Sequence, residues 1–537
     1  MTRRDLLALT VLALLARGVA AFLVDDPPYL DPAYYELVAR QLVEGDGFTT
    51  PALWSFLEVG GRLPADPALP LPSNGHWMPM TSIAAAASMA VFGSSRLAAE
   101  LPMVLAGAAL VPLTAVVGWE VWRSRSVALV SGALAVFSGP MLVFVPLVDS
   151  FAIFGLGGFA AIYGSMRAVR ELRGGRWLIL AGVGVGVATL TRIDGIILAV
   201  APAIAWLIRR GIGPWRVDLP PLSWRLAVAC AVITTVILLP WLVRQQLVYG
   251  TPLPSAGGHT LWITSFNEQF SIGHTVDLGT YLASGAPAII GSKLESWGLL
   301  VGRTAVLLGG VFLFSFAYGA WRERRRADLA PFLVYWLVLF LAMGGLFTLH
   351  APFGAWYHSA WAWLPFVIPL AVGAFIPGTA ALARWLPMLG RRRNQRFLLG
   401  GAVVGAIVLS IISSATLMAG WAADASRLAT ASRFLERQAS QSDVVMHVNA
   451  PAISLVTGLR AVAPPFDPYP VIQEVVRAYD VTWVVVEGPR GAGSDPLGLW
   501  TGPSAVDVEG NRATFLSSEP AFDSADVRVY RTVPADE

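Results

Sequence analysis

The sequence predicts a polytopic α-helical membrane protein of about eleven spans with a C-terminal extracytoplasmic α/β domain. Three observations carry this. Of the 537 residues, 55% are hydrophobic and only 14% charged, against about a quarter charged in a soluble domain. Eleven stretches are apolar enough to cross a bilayer, which takes roughly 17–25 residues each. After residue 420 the pattern changes to short strands and amphipathic helices of ordinary polarity.

The first span, 6–24, has a basic start and an apolar core. Arg17 interrupts that core and no clear small-residue cleavage site precedes Asp25, so the segment reads as an uncleaved anchor rather than a signal peptide. "DDPPYLDPAYYELVAR" (25–40) follows. Asp25 and Asp26 stand where water is available and read as solvated charges. Asp31 precedes a helix with Pro32 in its first turn, a good N-cap position, and Leu37, Val38, Leu42 and Val43 give that helix an apolar face. "HWMPMTSIAAAASMAVFG" (76–93) is alanine-rich, holds Pro79 and sits at the lower length limit for a span.

Further spans are expected at 97–121, 127–147, 150–166, 177–191, 195–208, 226–243, 301–321, 329–349, 359–377 and 397–420. The pair at 177–191 and 195–208 is short and breaks at "TRIDG" (191–195). Orientation follows from the arginines. If 76–93 does not cross, the clusters at 123–125, 167–176, 209–225, 322–326 and 384–396 share a side with Arg3 and Arg4, placing 21 of the 38 basic residues there. If it crosses, 19 of those 21 move outside. Cytoplasmic loops carry the excess of basic residues, so 76–93 is expected to lie along the interface. The N-terminus is then cytoplasmic in a multi-pass protein of the plasma membrane, and 25–96, 244–300, 350–358 and 421–537 lie outside.

Basic charge of this kind, clustered between apolar runs with Lys293 the only lysine, is not a nucleic-acid-reading stripe. The single cysteine, Cys230, lies in an apolar run; it excludes an intramolecular disulfide and reads as a packing residue. In 421–537, helices are expected at 424–439 and 470–481 and strands at 443–448, 482–488 and 526–533. No Gly-rich phosphate loop follows these strands, so no nucleotide site is expected. The division is a transmembrane domain, 1–420, with 25–96 as its first outer loop, and an extracytoplasmic α/β domain, 421–537.

An acidic residue soon after the first span, then a tyrosine and "VAR" in a helix ending "EGDGF" (44–48), resembles the first outer loop of membrane glycosyltransferases of the C superfamily (GT-C). These include the protein O-mannosyltransferases and the aminoarabinose transferase that modifies lipid A. "GHWMPMTSIAAAASMAVFG" resembles their His-Pro-Pro interfacial helix, with one proline of the two. "RLAAELPMVLAGAALVPL" (96–113) resembles their second span. "VATLTRIDG" (187–195), "PWLVRQQLVYGTPLPS" (240–255) and "VMHVNAPAISLVTGLRAV" (445–462) follow in the family's order. The likeness covers nearly the whole chain; Pro32 stands where a second acidic residue is frequent.

The resemblance implies an inverting transfer of one sugar from a polyprenyl-phosphate donor to a lipid, glycan or protein acceptor on the extracytoplasmic face. The domain 1–420 is then the catalytic one, and 421–537 is expected to serve acceptor binding or closure. Such chemistry needs a base for the acceptor hydroxyl and cations for the departing phosphate. Asp31 is the expected base, against the reading that it only caps its helix. Asp149 is placed to assist or orient, or else caps the next span. Arg244 is the expected donor-phosphate ligand, against snorkelling at a span end. Tyr35, His76, His358 and Arg192 complete the candidate donor and substrate contacts, although Arg192 and Asp194 also read as a structural ion pair and each histidine as a packed polar residue. Spacing shows no metal-ligand motif; a divalent cation at the phosphate is left open. A lipid-linked sugar flippase and an inactive envelope scaffold are the rival readings.

Overall fold

The computed structural model describes residues 1–24, 27–254, 258–488 and 495–533; Asp25 and Asp26, read above as solvated charges, lie outside them. Among the described residues, six helices are long and apolar enough to cross a membrane: Arg3–Leu23, Arg96–Trp122, Phe151–Arg170, Trp224–Tyr249, Ala355–Leu382 and Arg392–Gln438. Shorter apolar helices, Arg125–Val136, Gly175–Thr191 and Ala330–Gly345, fill the spaces between them. Helical structure therefore lies over every expected stretch, though not always as one full span.

Two stretches depart from expectation. The helix begun at Arg125 ends at Val136, and a separate turn, Met141–Phe144, follows. Gly139, at φ 54°, and Pro140 break the ladder between them. Arg17 answers this break. Its buried guanidinium donates to the carbonyls of Met141 at 2.5 Å and Ala135 at 3.4 Å, and it lies over the Trp361 ring. The expected span 301–321 is instead two helices, Ala286–Leu307 and Phe312–Glu323, bent by 105°. Gly309 and Gly310 both hold positive φ there. A Cβ on Gly309 would meet Ala406 at 2.3 Å, so the bend is also a close approach to the helix Arg392–Gln438. Hydropathy averages over such breaks; backbone dihedrals do not.

The helix Met80–Phe92 has 13 residues, about 20 Å at 1.5 Å per residue, too short to cross roughly 30 Å of hydrocarbon. It packs between the first-loop helix Leu30–Glu44 and Arg96–Trp122.

The C-terminal region is a six-stranded sheet ordered Ala52–Leu53, Arg460–Val462, Val444–Met446, Val481–Glu487, Val527–Arg531, Phe522–Asp523. The first four strands run parallel and the last two pair antiparallel. Helices Ala450–Thr457 and Tyr469–Ala478 make the crossovers. The central strands are buried on both faces, which is why "VVM" and "VTWVVVE" read as nearly unbroken apolar runs.

Two features blur the expected boundary at 420/421. The separate helix expected at 424–439 is the end of one 47-residue helix, Arg392–Gln438, which no proline interrupts. The edge strand Ala52–Leu53 comes from the first loop. The Ala461 amide donates to the Pro51 carbonyl at 3.1 Å, and that of Ala463 to Leu53 at 2.8 Å.

Candidate active site

The first-loop helix starts at Leu30 with Tyr29 as its N-cap residue and no side-chain cap. Asp31 therefore lies inside the first turn and is not the N-cap residue, which removes the capping reading of that residue. Pro32 through Ala39 are all buried, so the N-terminal two turns of the helix are enclosed on every side.

Asp31 meets two side chains from distant parts of the chain. His358, in the first turn of Ala355–Leu382, places Nε2 3.7 Å from Asp31 Oδ2 and Nδ1 3.4 Å from Asp149 Oδ1. Asp149 is fully buried; it accepts from the Tyr29 hydroxyl at 2.7 Å and from the Ser150 amide at 2.5 Å. Ser150 Oγ lies 2.9 Å from His358 Nδ1, and Phe151 stacks on the imidazole at 4.2 Å. Burial raises the proton affinity of both carboxyls, and the Asp149 charge raises that of Asp31 further, well above the ordinary carboxylate range.

Tyr29, Asp31 and His358 face a cavity of about 520 Å³ beside the first loop, and Asp149 lies buried behind them. Tyr35, His76, Arg192 and His358, all expected at the site, line it. Burial pushes His76 down to about 3 and His350 to about 4, so both imidazoles are neutral at pH 7. Among the described lining residues Arg192 is the one permanent cation. Its Nε donates to Asp194 at 3.0 Å, and Ser359 donates to the other Asp194 oxygen at 2.6 Å. The ion pair read from "TRID" exists, and it presents the guanidinium to the cavity.

Arg244 does not join them. It is not among the lining residues; it donates to the Phe48 carbonyl at 3.1 Å and lies over the Trp241 ring at 4.6 Å. It clamps the end of the first-loop helix region to Trp224–Tyr249. Arg244→Ala should accordingly lower the yield of folded protein and leave the donor KM of what remains within twofold. A large rise in donor KM in well-folded Arg244→Ala would restore the phosphate role.

Several site residues were not singled out from the sequence. Glu58, fully buried in "SFLEVGG", accepts from the Tyr34 hydroxyl and from Trp54 Nε1 at 2.9 Å, and so ties the cavity floor together. A lone glutamate in an apolar run was the available signal. Tyr29, Ser150 and Ser359 carried no such signal, because their partners lie 120 to 208 positions away.

Asp31, Asp149 and His358 each offer a ligand atom, all within 4.8 Å of one another. Two carboxylates and an imidazole suit a divalent cation such as Mg²⁺ or Mn²⁺, so the residues fit one, although spacing alone had shown no such set.

A family model described as dolichyl-phosphate-mannose-protein mannosyltransferase matches residues 74–243. Among solved structures, ArnT from Cupriavidus metallidurans bound to undecaprenyl phosphate matches with a TM-score of 0.63 at 13% identity, covering 100% of this chain and 99% of that one. The archaeal oligosaccharyltransferase AglB from Archaeoglobus fulgidus, in complex with an inhibitory peptide and a dolichol-phosphate, matches with a TM-score of 0.54 at 13% identity, covering 90% and 69%. No curated protein sequence matches this chain. The resemblance read from the motifs is borne out at the level of fold: the chain has the polytopic, mostly helical fold of these solved structures.

Proposed function

We propose, on the premise of a GT-C fold, that the protein is an integral-membrane inverting glycosyltransferase that takes a sugar from a polyprenyl-phosphate donor. The observation that carries this reading is the convergence of Asp31, His358 and Arg192 on one cavity, with Asp149 buried directly behind His358. Asp31 accepts the proton of an acceptor hydroxyl as its oxygen attacks the anomeric carbon from the face opposite the phosphate. The C–O bond to the polyprenyl phosphate breaks, its electrons leave with the phosphate, and configuration inverts. Arg192, oriented by Asp194, takes the charge of the departing phosphate in place of Arg244. His358, held by Ser150 and Phe151, fixes the separation of the two carboxylates.

A divalent cation would be held by Asp31, Asp149 and His358 and would supply positive charge to the phosphate oxygens. EDTA treatment is expected to lower turnover, and Mg²⁺ or Mn²⁺ to restore it. Turnover indifferent to EDTA would leave the carboxylates acting without metal.

The decisive assay is transfer from a synthetic polyprenyl-phosphate sugar by purified protein, with the released polyprenyl phosphate and the glycosylated product both measured. Which sugar and which acceptor are used would be read from envelope lipids and glycoproteins by mass spectrometry after gene deletion. The reading also requires the cavity and the C-terminal domain to face outward, since exporting 19 further basic residues would violate the arginine bias. Cysteine placed at the exposed positions Arg62 or Ser440 should react with an impermeant thiol reagent in intact cells, where buried Cys230 stays silent. Labelling only after lysis would reverse the orientation.

A further inference from the structure

The two carboxylates are braced from outside the helix bundle. The helix bearing Asp31 packs along Ala450–Thr457 of the C-terminal domain. Its Ala33 and Leu37, one turn apart on one face, are buried in the same apolar cluster as Leu435, Ala452 and Ile453. The strand Ala52–Leu53 of the same loop closes the edge of the C-terminal sheet. Asp149 is reached by a second route. The long helix Arg392–Gln438 sets Trp421 against Phe144 and Tyr29, with ring centroids 5.4 and 6.0 Å apart, and the Tyr29 hydroxyl bonds Asp149. One packed layer thus separates the C-terminal domain from each carboxylate.

We propose that the C-terminal domain is a working part of the catalytic site, with Trp421 and Ala452 as positioning residues that set the separation of Asp31 and Asp149. This rests on the reading of that pair as the catalytic centre. It departs from the division in which the domain serves the acceptor alone. Close-packed interiors transmit small displacements, and misplacing a reacting group by about 1 Å can cost on the order of 10²-fold in rate. Two short braces of packed side chains are therefore enough to couple the domain to turnover without touching substrate.

The test uses the full chain in lipid nanodiscs, with kcat, donor KM and hydrogen–deuterium exchange measured on Trp421→Ala, Trp421→Phe and Ala452→Leu. Trp421→Ala and Ala452→Leu should lower kcat by about tenfold or more with donor KM within twofold. Trp421→Phe, which keeps an aromatic ring on Tyr29, should recover most of the loss. Amides of 30–44 should exchange faster in Ala452→Leu, a readout that does not depend on activity. If Ala452→Leu does not fold, Ile453→Val decides the point, because it removes one methyl from the cluster that holds Ala33 and Leu37 and touches nothing in the site; kcat should fall there too. Parent-like kcat in the folded variants overturns the proposal, as does equal loss in Trp421→Phe and Trp421→Ala. Parent-like transfer by Asp31→Asn, measured in parallel, would instead overturn the reading beneath it, while the exchange result would still report on the brace.

Discussion

Asp31→Asn should lower turnover by about 10²–10⁴ while expression, thermal stability and donor binding stay near the parent. The size follows from what the residue does and does not touch. Its side chain caps no helix, so the change forfeits none of the roughly 0.5–2 kcal/mol that a true N-cap contributes. The amide keeps the shape that His358 packs against, but it cannot take a proton from a hydroxyl. Asp149 gives the contrast. It is fully buried and engaged by Tyr29 and Ser150, so Asp149→Asn should lose stability as well as activity. Transfer at the parent rate by Asp31→Asn, with Asp149→Asn inactive but folded, would exchange the two roles.

The second large effect is expected at Arg192. Replacing it alone leaves Asp194 as a largely buried, unpaired carboxylate, and breaking such a pair typically costs about 3–5 kcal/mol. Arg192→Ala should therefore be poorly folded and uninformative about donor binding. The double variant Arg192→Gln, Asp194→Asn removes both charges and keeps the hydrogen-bonding shapes, so it should fold. Losing a charge-assisted contact worth about 1.5–3 kcal/mol should raise the donor KM by roughly 10- to 100-fold, since each 1.4 kcal/mol is tenfold. Arg192→Lys keeps the charge and the pair but loses the planar fork, and should fall between. An unchanged donor KM in the folded double variant would return Arg192 and Asp194 to a purely structural role.

The sequence by itself determined the solvent and, with the family resemblance, nominated the candidate residues, Asp149 and His358 among them. Hydropathy places helices in lipid because burying apolar surface is a sum over local composition. Asp31, Tyr35, His76 and Arg192 were legible because they sit in short stretches with recognisable order: "LDPAYYELVAR", "HWMPM" and "TRID". The helix breaks at Gly139 and Gly309–Gly310 were not legible, because a window average cannot see a positive φ. The tertiary structure alone decided which candidates meet. It brought Asp149 and His358, which lie 118 and 327 positions further along the chain, to Asp31. It turned Arg244 onto Trp241 and Phe48 and away from the cavity, and it handed a strand of the first loop to the C-terminal sheet. These are long-range pairings, set by which faces pack and which edges lack hydrogen-bond partners. Local sequence records that a face is apolar or an edge is free, but not what will cover it.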